Sequence, residues 1–401
     1  MLKKSAKYAG AILAAILVLS ILNPFLVYRI NRYDPVDFLG YYEYSGVIGV
    51  HTEYSDGGLP YSEIGRIADS LNMHFVVTTD VNTDKAMTKS LERRYGMTLM
   101  IPAVEISARD GRQRFLVIGD SIPLLPGDGV TVDSALADAK KNGSLIVASG
   151  YPKQSNDVAS SRGFGGQVSG MVLYNFSRDL RSMISVTGIN KLFGAFLDYT
   201  MDPRTLNYLV RYRKSEMGEF DKLNDSRKAV GIATTTLPPN TLLKKGSGVR
   251  FPSYESELEF VHTIIVTKTP YSAQYSHDRD LTIKALKSGH MYIAFSGLEP
   301  ARGFYFTATS GDTTGMMGDS LRLYARAQLR ISLPDSNDVE TRVLKDGKVI
   351  RKYENTASVS LDVKSPGIYR VEVFQKRTML PLFLERSYPW IISNPIYIYK
   401  R

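Results

Sequence analysis

The stretch GVIGVHTEYSDG, residues 46–57, joins a strand-like apolar run to side chains of the types that bind metals. The apolar part ends at His51, and a Ser-Asp-Gly triplet that contains Asp56 begins four residues later. Imidazole and carboxylate groups are ligands that divalent metals take in proteins. The stretch therefore predicts a β-strand that ends at a polar site, and the rest of the chain decides whether that site is complete.

Outward from this stretch, strand-like runs alternate with amphipathic segments between about residues 45 and 235. The strand-like runs are HFVVTTD (74–80), LMIPAVEIS (99–107), FLVIGD (115–120), SLIVASG (144–150) and GMVLYNF (170–176). Such β-α-β alternation predicts an α/β fold with parallel strands wrapped by helices. Functional groups of such folds lie at the carboxyl ends of the strands. His51, Asp80 and Glu105 each lie at or near such an end.

From about residue 300 onward the apolar residues alternate with polar ones, as in antiparallel strands. Asp346-Gly347 is a two-residue hairpin signal with alternating residues on both sides. We therefore predict a small antiparallel β-sandwich over residues 299–401. Before it, the sequence predicts an exposed loop rich in Pro, Gly and Ser at residues 237–257 and a helix at residues 278–290.

The N-terminus carries a candidate membrane span. Residues 8–28 contain no charge over 21 positions and, as a helix, would extend roughly 31 Å, enough to cross a bilayer. The run continues into Arg29 without a small-x-small cleavage site, which favours an uncleaved anchor. More basic groups precede the span than follow it, which predicts a cytoplasmic N-terminus and a periplasmic or extracellular bulk. We expect a single-pass membrane anchor at residues 1–32 and a tether at residues 33–44.

The composition limits the classes of partner and cofactor. Half of the net charge of +10 belongs to residues 1–32, and no basic run interleaved with aromatic residues is present, so we predict no nucleic-acid binding. Cysteine is absent, which excludes disulfides and thiolate metal sites. A metal would have to be held by oxygen ligands or by one of the five histidines.

The chain resembles the PHP family, named for its polymerase and histidinol phosphatase members, and within it the carbaryl-hydrolase-like subgroup. The likeness rests, in this order, on GVHTEYSDG, FVVTTDVNT, IPAVEIS, LIVASGYP, GMVLYN and VGIATTT, and it covers residues 45–401. It implies a distorted seven-stranded β/α barrel over residues 45–298. It also implies that the strand ends hold up to three divalent metals for hydrolysis of phosphate esters.

Against the ligand motifs of that family, this chain keeps only His51, Asp56 and Glu105. Most of the other ligand places hold residues that cannot bind a metal well: Gly49, Val81, Arg114, Ser149 or Gly150, and Ala233-Thr234-Thr235-Thr236. Three protein ligands are enough for at most one divalent ion, whether Mn, Zn or Mg, and not for three. The ancestral catalytic site is therefore predicted to be dismantled.

Two interpretations of the remaining cluster stay open. His51, Asp56 and Glu105 either hold a residual single metal or form a relic of mutually satisfied polar groups. Asp80 is expected to support the site as a structural cap or as a partner that orients a histidine. Arg114 either replaces the missing cation beside Glu105 and stabilises an anion, or points to solvent. His277 and His290 are expected to have surface or packing roles.

Three functions remain in competition at the level of sequence. The first is a membrane-anchored, extracytoplasmic PHP-like protein that has lost catalysis and serves as a binding or scaffold module. The second is a metal-dependent phosphoesterase with a reduced single-metal site. The third is a cell-envelope carbohydrate-binding protein that uses Tyr324, Tyr369 and Trp390 of the sandwich. An envelope protein or polysaccharide is the expected partner, and no cofactor other than a metal is indicated.

Overall fold

The computed structural model describes residues 40–89, 93–108, 113–127, 129–149, 166–177, 210–239, 253–379 and 384–400. Within these ranges the chain has a mixed α/β fold built around one sixteen-stranded sheet. The predicted membrane span at residues 8–28 lies outside the described residues. In the ranges that are described, no helix is long and apolar enough to cross a membrane.

The first part of the fold contains ten strands and six helices in the described ranges. The strands are β1 (Tyr42–Val50), β2 (Phe75–Val81), β3 (Arg94–Tyr95), β4 (Thr98–Ser107), β5 (Arg114–Ile118), β6 (Leu145–Ala148), β7 (Gly170–Asn175), β8 (Val230–Thr234), β9 (His262–Thr267) and β10 (Met291–Ala294). The helices are α1 (Tyr61–Ser70), α2 (Lys85–Thr88), α3 (Val132–Lys141), α4 (Lys214–Ser226), α5 (Tyr254–Phe260) and α6 (Tyr275–Ser288).

Strand direction follows the predicted alternation except at one place. Strands β1, β2 and β4 are parallel neighbours, as are β6, β7 and β8. Strand β5 is antiparallel to both β4 and β6, so the prediction of a parallel strand at residues 115–120 is wrong. The connection over residues 108–113 is too short for the crossover that a parallel pair needs. This reversal places Arg114 beside Ser107, at the carboxyl end of β4.

The last strand of this series, β8, returns to the first. The N–H of Thr235 donates to the carbonyl oxygen of Ile48 at 3.0 Å, and the N–H of His51 donates to that of Thr236 at 3.3 Å. Side chains from these strands share one buried core, whose members include Ile48, Phe75, Ile101, Leu116, Val147, Val172, Ile232, and Ile283 and Leu286 of α6. The carboxyl ends of β1, β4 and β8 therefore meet around a common centre.

The C-terminal strands form two facing sheets. They are β11 (Tyr305–Ser310), β12 (Thr313–Met316), β13 (Ser320–Arg322), β14 (Ala327–Ser332), β15 (Val339–Lys345), β16 (Lys348–Glu354), β17 (Ser358–Val363), β18 (Gly367–Met379), β19 (Leu384–Ser393) and β20 (Ile396–Tyr399). Strands β12, β11, β14 and β17 make a separate sheet, whereas β13, β20, β18 and β19 continue the large sheet because β19 pairs with β10. The boundary expected at residue 298 therefore does not interrupt the large sheet.

The predicted aromatic binding face is wrong for two of its three residues. Tyr369 and Trp390 are each 0% exposed and belong to the core between the two C-terminal sheets. Their polar groups are satisfied internally, since the hydroxyl of Tyr369 donates to Ser365 O at 2.7 Å and the indole N–H of Trp390 donates to Glu299 O at 2.9 Å. Large aromatic rings fill the space between sheets best. Tyr324, at 59% exposure, is the remaining residue of the three at the surface.

Local turn and capping signals explain three further details. Asp346 and Gly347 form the predicted hairpin between β15 and β16, with φ values of 50° and 73° that a two-residue turn requires. Helix α5 starts inside the segment predicted as a loop, because the Ser253 hydroxyl accepts the N–H of Ser256 at 3.2 Å and Leu258 is buried. Strand β1 begins inside the predicted tether, because Tyr42 pairs with β9.

The buried carboxyl group of Glu43 in β1 makes the stability of the fold depend on pH. It accepts hydrogen bonds from the Tyr292 hydroxyl at 2.8 Å and the Gly303 N–H at 2.7 Å, and burial raises its pKa from 4.5 to about 7. Between these two pKa values the folded chain keeps a proton that the unfolded chain has lost. The free energy of unfolding should therefore fall by about 3 kcal/mol as the pH rises from 4.5 to 7.

Glu43→Gln is expected to remove this component of the pH dependence, because the amide has no proton to lose. The free energies of unfolding of both proteins are measured with urea at several pH values between 4 and 8, and their difference is compared across the pH values. Glu255→Gln is the matched control, since Glu255 is exposed. Parallel stability curves for Glu43→Gln and the unchanged chain would contradict the assignment.

Candidate functional site

The predicted site residues come together at the carboxyl ends of β1, β2 and β4. His51 follows β1, Asp80 is the last residue but one of β2, and Glu105 lies near the end of β4. Arg114 joins them because it begins the reversed strand β5. His277 and His290 lie elsewhere, next to Asp278 and Asp319 respectively. Sequence order alone could not place Arg114 here, because its position depends on the direction of β5.

His51 is buried between two carboxylates. Its Nδ1 atom lies 2.5 Å from Asp56 Oδ1, and its Nε2 atom lies 3.6 Å from Glu105 Oε2. Burial alone would lower the pKa of His51, but the hydrogen bond to Asp56 and the negative charges of Glu105 and Asp56 outweigh it and raise the pKa to about 9. The same contact lowers the pKa of Asp56. At neutral pH His51 is therefore an imidazolium held by two anions.

Glu105 is compensated from its other side by Arg114. The guanidinium Nη1 atom donates to Glu105 Oε1 at 2.8 Å, and the Ser149 hydroxyl lies 3.5 Å from Glu105 Oε2. The Arg114 side chain is 37% exposed while that of Glu105 is 4% exposed. Arg114 therefore points into the site, and its side chain remains partly exposed to solvent. Charges alternate from Asp56 through His51 and Glu105 to Arg114.

Asp80 holds the turn between His51 and Asp56 in place through hydrogen bonds. It is fully buried and accepts three hydrogen bonds, from the N–H of Thr52 at 2.8 Å, the hydroxyl of Thr52 at 2.9 Å and the hydroxyl of Ser55 at 2.7 Å. These donors belong to the turn that connects His51 to Asp56. Asp80 thus fixes the loop that carries both residues, and it contacts neither of them in the described hydrogen bonds.

Gly49, which occupies a lost ligand place, also has a structural role. Its φ of 84° lies in the left-handed region, and an added Cβ would come within 2.8 Å of Thr234 Cβ and 2.9 Å of Thr234 Cγ2. Thr234 is itself held by Asn175, whose amide donates to the Thr234 hydroxyl at 2.8 Å. The glycine in β1 and the threonine in β8 therefore form one packed unit. A histidine at position 49 would need both a different backbone conformation and a smaller residue at position 234.

Gly49→Ala is expected to lower the free energy of unfolding by about 2–4 kcal/mol, through left-handed backbone strain and overpacking against Thr234. Gly218→Ala is the control, because a Cβ at Gly218 in α4 would meet nothing within 4 Å and should be neutral or slightly stabilising. Urea unfolding measures both. An equally mild effect of the two substitutions would show that Thr234 does not restrict position 49.

Two polar residues at this end, Asn175 and Ser177, were not singled out from sequence as members of the site, and Ser149 was named only as one of two residues at a lost ligand place. Ser149 approaches Glu105, Asn175 binds Thr234, and the Ser177 hydroxyl accepts the N–H of Thr236 at 3.2 Å. All three follow or end the strands β6 and β7, so their positions at strand ends were the available signal. They line the site with hydroxyl and amide groups instead of ionisable ligands.

The described residues do not fit the multi-metal centre that the family resemblance implies. No group of three or more His, Cys, Asp or Glu side chains among them lies at the spacing that holds a metal. Asp56 and Glu105 contact opposite nitrogens of His51, so the three predicted ligands do not converge on one point as a single-ion site requires. The guanidinium of Arg114 takes the place of a cation beside Glu105.

Comparisons with known proteins give remote likenesses. No family model matches the chain, and no curated protein matches it significantly. A Bacteroides vulgatus two-domain protein containing a predicted PHP-like metal-dependent phosphoesterase is 13% identical, with 90% of this chain and 99% of that one covered and a TM-score of 0.42. A Bifidobacterium adolescentis protein described as a metal-dependent phosphoesterase is 9% identical, with 52% and 93% covered and a TM-score of 0.28. Such distant likenesses assign no activity to this chain.

Proposed function

We propose that this chain is a membrane-anchored, extracytoplasmic PHP-like protein that works as a non-catalytic binding module. The observation that carries the proposal is the alternating chain of charges Asp56, His51, Glu105 and Arg114. In this arrangement the cations beside the carboxylates are side chains of the protein. The partly exposed side chain of Arg114 can then bind a carboxylate or phosphate group of a ligand.

The proposal includes a fold and a location. A seven-stranded barrel is supported by the order β1-β2-β4-β5-β6-β7-β8 and by the hydrogen bond from Thr235 to Ile48 that joins its two ends. The anchor is supported by the uncharged run at residues 8–28, and the outward location by the basic residues that precede it. The strand ends that carry Arg114 would then face the periplasm or the exterior.

Metal retention by the full chain tests the proposal. The detergent-solubilised protein is dialysed against Mn²⁺, Zn²⁺ or Mg²⁺, then against metal-free buffer, and its metal content is measured. Less than one ion per chain is expected, because binding at His51 would have to displace a proton and compete with Arg114. Retention of two or more ions per chain would contradict a dismantled site. Arg114→Gln is the informative variant, since it removes the protein cation beside Glu105.

A second candidate function is a metal-dependent phosphoesterase with one ion. It is favoured by one observation: His51 Nε2 is buried, has no hydrogen-bond partner in the described part of the chain, and lies 3.6 Å from Glu105 Oε2. Two ligands of a single ion lie roughly this far apart when each is about 2.1 Å from it. Hydrolysis of phosphate monoesters or diesters that is abolished by both His51→Ala and Glu105→Gln would establish this alternative. Arg114 would then stabilise charge on the substrate.

A further inference from the structure

The chain enters the described fold next to helix α6. Tyr42, the first residue of β1, pairs with Thr267 at the end of β9, and the segment after β9 leads into α6. In that segment the Tyr271 ring stacks on Tyr44 with centroids 3.6 Å apart. The site residue His51 follows the opposite end of β1. A nine-residue strand extends about 30 Å, so the entry point and the candidate site lie at opposite ends.

Helix α6 covers the entry end with one face and exposes the other. Its buried residues are Asp278, Thr282, Ile283, Ala285 and Leu286. Lys284 and Lys287 are exposed on the opposite face, and Lys268, which follows β9, is exposed as well. Asp120 and Asp280 both pair with Arg279 of this helix. Lys268 lies close enough to Asp319 to help lower the pKa of that carboxyl, so Lys284 and Lys287 are the lysines of this end without an ion pair among the described residues.

Three exposed apolar side chains belong to segments that are linked to this helix by ion pairs. Met97 is 40% exposed, and Ile122 and Leu124 are each 48% exposed. Met97 is tied to α6 through Arg94, which donates to Met97 O at 3.2 Å and to Asp278 at 2.7 Å. The loop of Ile122 and Leu124 starts at Asp120, which pairs with Arg279. We call Met97, Ile122, Leu124, Lys268, Lys284 and Lys287 the α6 surface.

The composition of the α6 surface fits one occupant. Exposed Leu, Ile and Met side chains insert at the boundary between headgroups and acyl chains, and lysines beside them are attracted to anionic headgroups. The remaining exposed large apolar residues of the described chain, among them Tyr324, Val349 and Tyr399, lie in the C-terminal part of the chain after residue 300. The exposed apolar side chains and the exposed lysines of the α6 surface therefore lie at the end of the fold where β1 begins, which is the end that follows the predicted membrane span.

We propose that the α6 surface docks on the anionic bilayer in which the chain is anchored, with the candidate site turned away from the membrane. This inference rests on the membrane anchor of the proposed function. Residues 29–41 can span at most about 45 Å, so the tether keeps the α6 surface close to the bilayer. A tether this short gives an effective concentration on the order of millimolar, and weak surface contacts are then sufficient for docking.

Single-cysteine labelling of the full chain tests the proposal, and the absence of native cysteine leaves one labelled position in each variant. Leu124→Cys carries an environment-sensitive fluorophore, and Val349→Cys is the matched control because Val349 is apolar and 44% exposed. Both proteins are reconstituted into phosphatidylcholine vesicles with and without phosphatidylglycerol, together with a lipid-borne quencher. We expect quenching at position 124 and not at position 349. The quenching at position 124 should increase with phosphatidylglycerol and decrease at about 1 M salt.

Charge reversal separates the contribution of the lysines. Lys284→Glu with Lys287→Glu should lower the ratio of docked to undocked chains by roughly fivefold for each lysine. Lys348→Glu with Lys364→Glu, which changes two exposed lysines of the C-terminal strands, should leave quenching at position 124 unchanged. If the chain resists alkaline extraction but quenching is equal at positions 124 and 349, or is absent at both, the docking is overturned and the anchor stands. Release of the chain by alkaline extraction would overturn both.

Discussion

Arg370→Met is expected to lower the free energy of unfolding by about 3–5 kcal/mol. Arg370 is 3% exposed in β18 and pairs with Asp221 of α4 and with Glu372, whose carboxylate lies 2.9 Å from Arg370 Nη2. The Tyr212 hydroxyl also donates to Glu372 at 2.8 Å. Removing the guanidinium would leave two carboxylates without their buried counter-charge. Because the pair of Asp221 and Arg370 joins the first part of the chain to the C-terminal strands, the loss of this pair should destabilise both parts.

The control for this substitution is Arg326→Met. Arg326 pairs with Asp362 at 2.9 Å, but the two side chains are 68% and 39% exposed. Exposed ion pairs contribute at most about 1 kcal/mol because water screens them. Urea unfolding of the two variants compares a buried and an exposed arginine with similar pair geometry. Effects of the same size would mean that the Arg370 cluster does not hold the two parts together.

Asp80→Ala is expected to cost about 3 kcal/mol or more. The substitution deletes the acceptor of three hydrogen bonds and leaves the N–H and hydroxyl of Thr52 buried without it. Asp80→Asn keeps one acceptor oxygen and should cost less. Asp312→Ala, at an exposed position, should change the free energy of unfolding by no more than about 0.5 kcal/mol. A similarly small effect of Asp80→Ala would show that Asp80 does not fix the loop between His51 and Asp56.

The alternation of apolar runs was sufficient to predict the parallel strands in the first part of the large sheet, because buried parallel strands leave a continuous apolar pattern. The direction of β5 could not be obtained in this way, since it depends on the six residues between β4 and β5. The same reversal decides the site, because it brings Arg114 to Glu105. The family resemblance suggested that contact as one of two alternatives, and the strand direction distinguishes them.

Long-range contacts were the least predictable features. Arg370 and Asp221 are 149 positions apart, and neither sequence context indicates a buried pair. The exclusion of a side chain at position 49 depends on Thr234 in a strand that is distant in sequence. Aromatic residues of a sandwich are usually core or edge residues, and the pattern at Tyr369 and Trp390 could not locate an exposed face. Their burial follows from the packing of the two C-terminal sheets against each other.

The protonation state of His51 tests the central claim most directly. The ¹⁵N shifts of selectively labelled histidines are recorded on the full chain at pH 7, with and without excess Zn²⁺, and His51 is assigned with His51→Gln. The account predicts that both ring nitrogens carry protons, that the pKa is about 9, and that Zn²⁺ changes neither. A neutral ring at pH 7, or a metal-bound ring after Zn²⁺ addition, would contradict it, because the protein cations would then not have replaced the metal.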